Sequence, residues 1–372
     1  MALSLLTLLL LLLAAGRLIG WGAVGSASWI ISVARAGAAM PNPAVSWSSG
    51  WVALTVLTML SLALILVLPR LVRRRWVGIL AGIALVLSVV VRPPAPGWPP
   101  TGWVLVACDV GQGDALVLNA GDGVAVVVDA GPDPALVDRC LSRLRITAVP
   151  LVVLTHFHAD HADGLTGVAG LSGLGHRRRL NTIAVTSLEV PADRVRAVAS
   201  FASSRGLREG TVAAGDRLQV GQVSLEAVWP TTTPLAADDD GSGPNNASVV
   251  LLARVDGVSM LLAGDVEPLS QSALARSLAG LRVDVLKVPH HGSKYQDEAF
   301  LSGLGARVGV ISVGADNDYG HPAEQTIRML SAAGMQVRRT DRDGDIAIVV
   351  RDGRLLTLTH DFERAATSNR GY

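Results

Sequence analysis

The 372-residue chain has a formal net charge of +1, but residues 1–100 hold seven Arg and no Asp or Glu, while 101–372 hold all 31 acidic residues against 25 basic ones, a charge of −6. The length allows two or three domains, and an acidic second part excludes a protein that holds nucleic acid by basic charge alone. Cys108 and Cys140 match no metal-ligand spacing and are too few for a disulfide framework; among apolar neighbours they read as buried thiols, with one disulfide as the alternative.

In chain order, three apolar runs come first, at about 2–24, 51–69 and 76–92, each read as a transmembrane helix. Seven of the eight Trp, at 21, 29, 47, 51, 76, 98 and 103, fall mostly at the edges of these runs, as in interfacial belts. The short cationic loop Arg70-Leu-Val-Arg-Arg-Arg75 belongs in the cytoplasm, which sends the chain after the third span to the opposite face. Residues 93–102 are a stiff Pro-rich linker. The expectation is a multi-pass cell-membrane protein, residues 1–92 in the bilayer and the remainder extracytoplasmic.

Residues 103–360 read as a globular α+β domain, followed by a tail at 361–372. Short β-branched runs predict strands over 104–107, 115–118, 124–128, 150–154, 223–229, 248–254, 259–262, 283–288, 307–313 and 346–350. Helical patterns fall at 134–144, 191–203, 267–278 and 323–333. Antiparallel pairs early and βα alternation late imply sheets covered by helices.

All eight His lie in this part, three of them within Thr155-His-Phe-His-Ala-Asp-His161, directly after a strand. Alternate residues leaving a strand share a face, so His156 and His158 point the same way. Asp160 and His161 then project from the first turn of a helix. Four ligands from two adjacent surfaces can serve two metal ions.

The run resembles the metallo-β-lactamase superfamily, whose H-x-H-x-D-H motif it matches without a gap. The resemblance implies an αββα sandwich and two divalent metal ions, Zn or Mn, the first bound by His156 and His158 and the second by Asp160 and His161. Asp129, in Val128-Asp-Ala-Gly131, matches the family's earlier aspartate, a group that orients a ligand histidine. Asp265, in Leu262-Ala-Gly-Asp265, matches the bridging carboxylate. In Lys287-Val-Pro-His-His-Gly-Ser293 the two histidines at a strand end point in opposite directions. By the family's pattern His291, before the glycine, binds the second metal and His290 faces the substrate, although the roles are exchangeable. The family's intermediate histidine is missing: His176 lies in an Arg-rich loop, and Asn245-Asn-Ala-Ser248 stands near the place of the absent ligand. Water or an amide oxygen would complete that shell.

Asp109-Val-Gly-Gln-Gly-Asp-Ala115, the His-His-Gly-Ser-Lys run, Tyr319-Gly-His-Pro322 and Thr340-Asp341, placed behind membrane spans, resemble the C-terminal part of ComEC-type competence proteins. That resemblance implies a nuclease outside the membrane that degrades the DNA strand not imported during transformation, beside other competence proteins or a separate channel subunit. A two-metal site suits phosphodiester hydrolysis, with His290 or His321 protonating the leaving oxygen and Asp160 holding the second metal. Asp109 and Asp114 shape a Gly-rich turn or line the site. Arg177–Arg179, Arg194, Arg196, Lys287 and Lys294 are the local basic groups open to a DNA backbone. Two rival readings are a membrane-tethered hydrolase of cell-wall phosphodiesters or small esters, and a non-catalytic assembly module.

Overall fold

The computed structural model describes residues 98–172, 177–231 and 242–360, with Thr55, Thr58, Met59, Trp76 and Ile79 as isolated helical positions. Among the described residues no helix is long and apolar enough to cross a membrane. Apart from those five positions, the expected spans at 1–92, the first half of the linker (93–97) and the tail at 361–372 lie outside them.

In chain order the strands are β1 (Trp103–Ala107), β2 (Leu116–Gly121), β3 (Val124–Val128), β4 (Ala148–Leu154), β5 (Arg179–Val185), β6 (Arg208–Thr211), β7 (Arg217–Val220) and β8 (Val223–Trp229). They continue as β9 (Val250–Val255), β10 (Val258–Leu262), β11 (Val285–Lys287), β12 (Val308–Ile311), β13 (Gln336–Arg339), β14 (Asp345–Arg351) and β15 (Arg354–His360). They form two sheets, β15-β14-β1-β2-β3-β4-β5-β6 and β13-β12-β11-β10-β9-β8-β7. β3, β4, β5 and β6 run parallel, as do β10, β11, β12 and β13.

The alternation in β8 explains how the sheets face each other. Val223, Leu225, Ala227 and Trp229 are buried while Ser224, Glu226 and Val228 are less so, so one face meets the interior. Leu105, Leu118, Val126 and Val153 of the first sheet meet Leu225, Leu251, Met260 and Val310 of the second in one apolar layer. The outer face of the second sheet packs Leu261, Leu286 and Ile311 against Leu274, Phe300, Leu301 and Leu330 from its covering helices. Helix Pro134–Arg143 buries Val137 and Leu141, and Arg143 pairs with Asp345 of β14 at 3.0 Å, tying it to the first sheet. This is the expected αββα order.

Four expectations change. Cys108 and Cys140 are not thiols but a disulfide, with Cα atoms 5.9 Å apart; it joins the chain after β1 to that helix. Strands β5, β6, β7, β13 and β15 are additional, and their polar residues disguise them: β5 is exposed at Arg179 and buried only from Ile183 on. β9 begins at Val250, so Ser248 is free to turn toward the functional residues. His290 and His291 lie not on extended backbone but in a turn with φ of 48° and 51°.

Candidate metal centre

The parallel strands β3 and β4 end side by side, and the first functional group hangs from these two ends. Asp129 follows β3 with a φ of 61°. Its Oδ1 accepts the Thr155 N–H at 2.7 Å and its Oδ2 accepts the Thr155 hydroxyl at 2.8 Å. Oδ2 also lies 2.9 Å from His161 Nδ1, the contact expected of a carboxylate that orients a ligand histidine. After β4 the chain passes His156 and His158 and enters a short helix, Ala159–Ala162, whose first turn carries Asp160. With Nδ1 held by Asp129, His161 turns Nε2 inward, 3.2 Å from Asp265 Oδ2 and 3.8 Å from Asp160 Oδ2. His156 is anchored the same way: its Nδ1 lies 3.1 Å from Thr155 Oγ1 and 3.3 Å from Ser248 Oγ. The His156 and His158 rings are 4.6 Å apart.

The second sheet delivers the opposing wall. Asp265 follows β10, and the preceding Gly264 adopts a φ of 52° with no room for a side chain, since a Cβ there would lie 2.8 Å from Ser248 Cβ. β11, the parallel neighbour of β10, ends in Lys287 and leads into the histidine turn. Left-handed backbone costs a non-glycine residue about 1–3 kcal/mol. Here it is locked by His290 N–H donating to Gly264 O at 3.2 Å and Ser293 N–H donating to His290 O at 2.8 Å. The turn splits the pair. His291 is buried, its Nε2 3.1 Å from Asp160 Oδ2 and 3.2 Å from Asp265 Oδ2, and its Nδ1 3.0 Å from Ser312 O. His290 points elsewhere, to Glu267 Oε1 at 3.3 Å.

Ligand atoms of Asp160, His161, Asp265 and His291 all lie within 4.8 Å of one another. Among the described residues, the Nε2 atoms of His156 and His161 and Oδ1 of Asp265 are buried without a hydrogen-bond partner. Such atoms are costly unless something binds them, and a mixed imidazole–carboxylate set suits Zn, Mn or Fe. The residues therefore fit a divalent cation. The electrostatics agree. Burial works against charge on His161, yet Asp265, Asp129 and Asp160 outweigh it and hold the imidazole well above its usual range. His291 is held up similarly, against burial, by Asp265 and Asp114. Burial and the neighbouring His161 push His156 well below the usual range, so it presents a neutral ring. His321 is pulled down to about 4 by burial, His290 and His291; its ring is 5.4 Å from that of His290 and 6.4 Å from that of His291.

The β-lactamase superfamily domain matches residues 125–340. The chain belongs to this family. All nine site residues expected from the sequence, from Asp129 to His321, fall inside the matched stretch. The superfamily chain is 32% identical over 150 residues to ComE operon protein 3 of Bacillus subtilis (strain 168), a match covering 40% of this chain and 19% of that protein. It is 32% identical over 102 residues to competence protein ComA of Neisseria gonorrhoeae, covering 27% of this chain and 15% of that one. The matched parts thus span less than a fifth of these relatives' length. Among solved structures it is similar to the metallo-β-lactamase fold protein YhfI from Bacillus subtilis, with 9% identity and a TM-score of 0.42 over 63% of this chain and 95% of that one.

Beside the nine, this superfamily member carries residues whose roles sequence reasoning assigned differently or missed. Lys287 is not a surface cation: it is fully buried, ion-paired with Asp114 and 3.8 Å from Asp265 Oδ1. Burial disfavours both charges, yet the pair holds Asp114 below and Lys287 above their ordinary ranges. Asp114 also comes within 3.4 Å of His291 Nδ1, so of the two turn aspartates it is the one that backs the site. Arg178 is likewise buried, donating to Asp138 at 2.7 Å and to Ile146 O at 3.1 Å. Arg194 pairs with Asp163 at 3.0 Å. Arg177, Arg179 and Lys294 are exposed. Asn245 donates its amide to Glu267 at 2.8 Å, and its Oδ1 is buried without a hydrogen-bond partner among the described residues. His176 lies outside the described residues.

Proposed function

We propose that this chain is a metal-dependent phosphodiesterase of a membrane DNA-uptake system, hydrolysing DNA backbone outside the cytoplasm. The observation that carries the reading is the convergence of Asp160, His161, Asp265 and His291, with His156 beside His161, from the ends of β4, β10 and β11 onto one cluster, in which His156 Nε2, His161 Nε2 and Asp265 Oδ1 have no hydrogen-bond partner among the described residues. The similarity to competence proteins supports DNA as the substrate and other competence proteins or a channel subunit as partners. Two divalent ions, Zn or Mn, held by His156, His158, Asp160, His161, Asp265 and His291, would supply charge stabilisation on the phosphoryl oxygens and activation of the attacking water.

The residues' own tasks follow from their contacts. Asp129 fixes the His161 ring through Nδ1, and Thr155 and Ser248 fix the His156 ring. Asp160, half-exposed and 3.1 Å from His291, faces the side from which substrate enters. His290 gives the leaving oxygen its proton. His321, with its titration pulled down to about 4, is neutral at pH 7 and lines the site instead. In the proposed organisation residues 1–92 span the membrane, 93–102 link, and 103–360 carry the hydrolase, with 361–372 as a tail. The Cys108–Cys140 disulfide supports an oxidising, extracytoplasmic location for that hydrolase.

The test is to incubate the purified full chain, loaded with Mn or Zn, with labelled single-stranded and double-stranded DNA. Metal-dependent cleavage that Asp160→Ala abolishes supports the proposal. Cleavage of small esters with DNA left intact would replace it by a small-ester hydrolase, and DNA binding without cleavage by an assembly module.

A further inference from the structure

Glu267 belongs to no motif and follows the bridging aspartate by two residues, yet its surroundings hold it in place at both ends. Its backbone N–H donates to Asn246 Oδ1 at 3.1 Å, and its carboxylate accepts the Asn245 amide at 2.8 Å. Because a carboxylate only accepts, the nitrogen of Asn245 must face it, which settles that amide's orientation. Among the described residues no Lys or Arg pairs with Glu267; the one ionisable nitrogen within 4.0 Å is His290 Nδ1, at 3.3 Å. Among the described residues that nitrogen is buried and makes no completed hydrogen bond, the 3.3 Å contact with Glu267 being an ion-pair approach, while 22% of the His290 side chain remains exposed. The buried edge of the ring therefore faces the carboxylate, and the other edge faces the solvent side of the site beside His321.

We propose that Glu267, fixed by Asn245 and Asn246, is the positioning residue that holds His290 with Nδ1–H toward the carboxylate and Nε2 toward the leaving oxygen. This rests on the phosphodiesterase reading. In the step it serves, water forms a bond to phosphorus and the bond from phosphorus to the leaving oxygen breaks. The Nε2 proton moves to that oxygen, and a proton of the water is released to solvent, so the products are a phosphate monoester and an alcohol. The left-handed backbone of His290 explains why a second group is needed: the turn aims the side chain away from the His291 ligand direction, and a free ring there would rotate about its χ angles. Carboxylates that orient a histidine through its other nitrogen change rates or affinities about 10–100-fold when removed.

The experiment uses the full chain loaded with Zn, as wild type, Glu267→Ala and Glu267→Gln. The substrates are an oligonucleotide and a 4-nitrophenyl ester of a nucleoside phosphate, whose leaving group needs no proton. Glu267→Ala should lower kcat on the oligonucleotide about 10–100-fold with KM and zinc content unchanged, lose little on the nitrophenyl ester, and be partly rescued by Glu267→Gln. Nitrogen-15 spectra of labelled histidine should show His290 protonated at Nδ1 in the wild type and not in Glu267→Ala. Equal losses on both substrates, loss of zinc, or an unchanged His290 spectrum overturns the positioning role. A wild type that cleaves neither substrate but shows the spectral change would fell the phosphodiesterase reading and leave the Glu267–His290 contact standing.

Discussion

Replacing Lys287 with Met separates a charge from its partner in the least hydrated part of the protein. Lys287 is fully buried and Asp114 only 1% exposed, and the ammonium lies between Asp114, Asp265 Oδ1 at 3.8 Å and Gly264 O at 3.3 Å. Met matches the length of the stem but leaves the Asp114 carboxylate desolvated, with the His291 imidazole at 3.4 Å as its nearest remaining charged partner; removing one member of a buried pair costs about 3–5 kcal/mol. In a domain of this size each kcal/mol lowers Tm by roughly 2–4 °C, so a fall of about 6–20 °C is expected by thermal unfolding of the full chain. The double variant Lys287→Met/Asp114→Asn should recover much of that loss, because removing both charges of a buried pair is cheaper than removing one. A double-mutant cycle measures this, with an expected coupling of about 1–3 kcal/mol. A Lys287→Met loss under about 1 kcal/mol, or an Asp114→Asn effect that simply adds to it, would refute the argument.

Metal analysis of Asp265→Ala should show loss of both ions, since Asp265 is the carboxylate expected to bridge the His156–His158 set and the set of His161 and His291, whose Nε2 atoms lie 3.2 Å from its Oδ2, whereas His161→Ala should chiefly weaken the second. Because carboxylates hold His161 and His291 above the usual histidine range in the metal-free protein, their contribution to its stability is full below about pH 6.5 and lost as pH rises through the folded values. Metal must displace those protons, so affinity rises with pH. Calorimetry in buffers of different ionisation enthalpy should show about two protons released on loading, and pH-independent binding without release would contradict this. The Cys108–Cys140 bond closes a loop across a separation of 32 residues, so replacing both cysteines with Ser should cost about 3–4 kcal/mol. Chemical denaturation reads this loss, and a difference below about 1 kcal/mol would count against a formed bond.

By itself the sequence determined the parts of this protein whose geometry is local. The spacing of His156, His158, Asp160 and His161 is written into the pleat of a strand end and the first turn of a helix, so residues a few positions apart already carry the arrangement. The aspartates after β3 and β10 and the αββα order were legible through the family resemblance, while the strand and helix runs alone indicated sheets covered by helices. The polar strands were not, because β5 exposes Arg179, β13 has no fully buried residue, and both depend on pairing with distant neighbours. Only the tertiary structure decided which histidine of His290 and His291 turns inward, because left-handed backbone pinned by Gly264 and Ser293 separates them rather than the alternation of a strand. Only it placed Lys287 against Asp114, Arg178 against Asp138 and Cys108 against Cys140, since a basic or sulfur side chain looks the same in sequence whether solvent or a partner far along the chain receives it. Glu267 was hidden for that reason too: its role depends on a histidine 23 residues later being folded back onto it by the parallel register of β10 and β11.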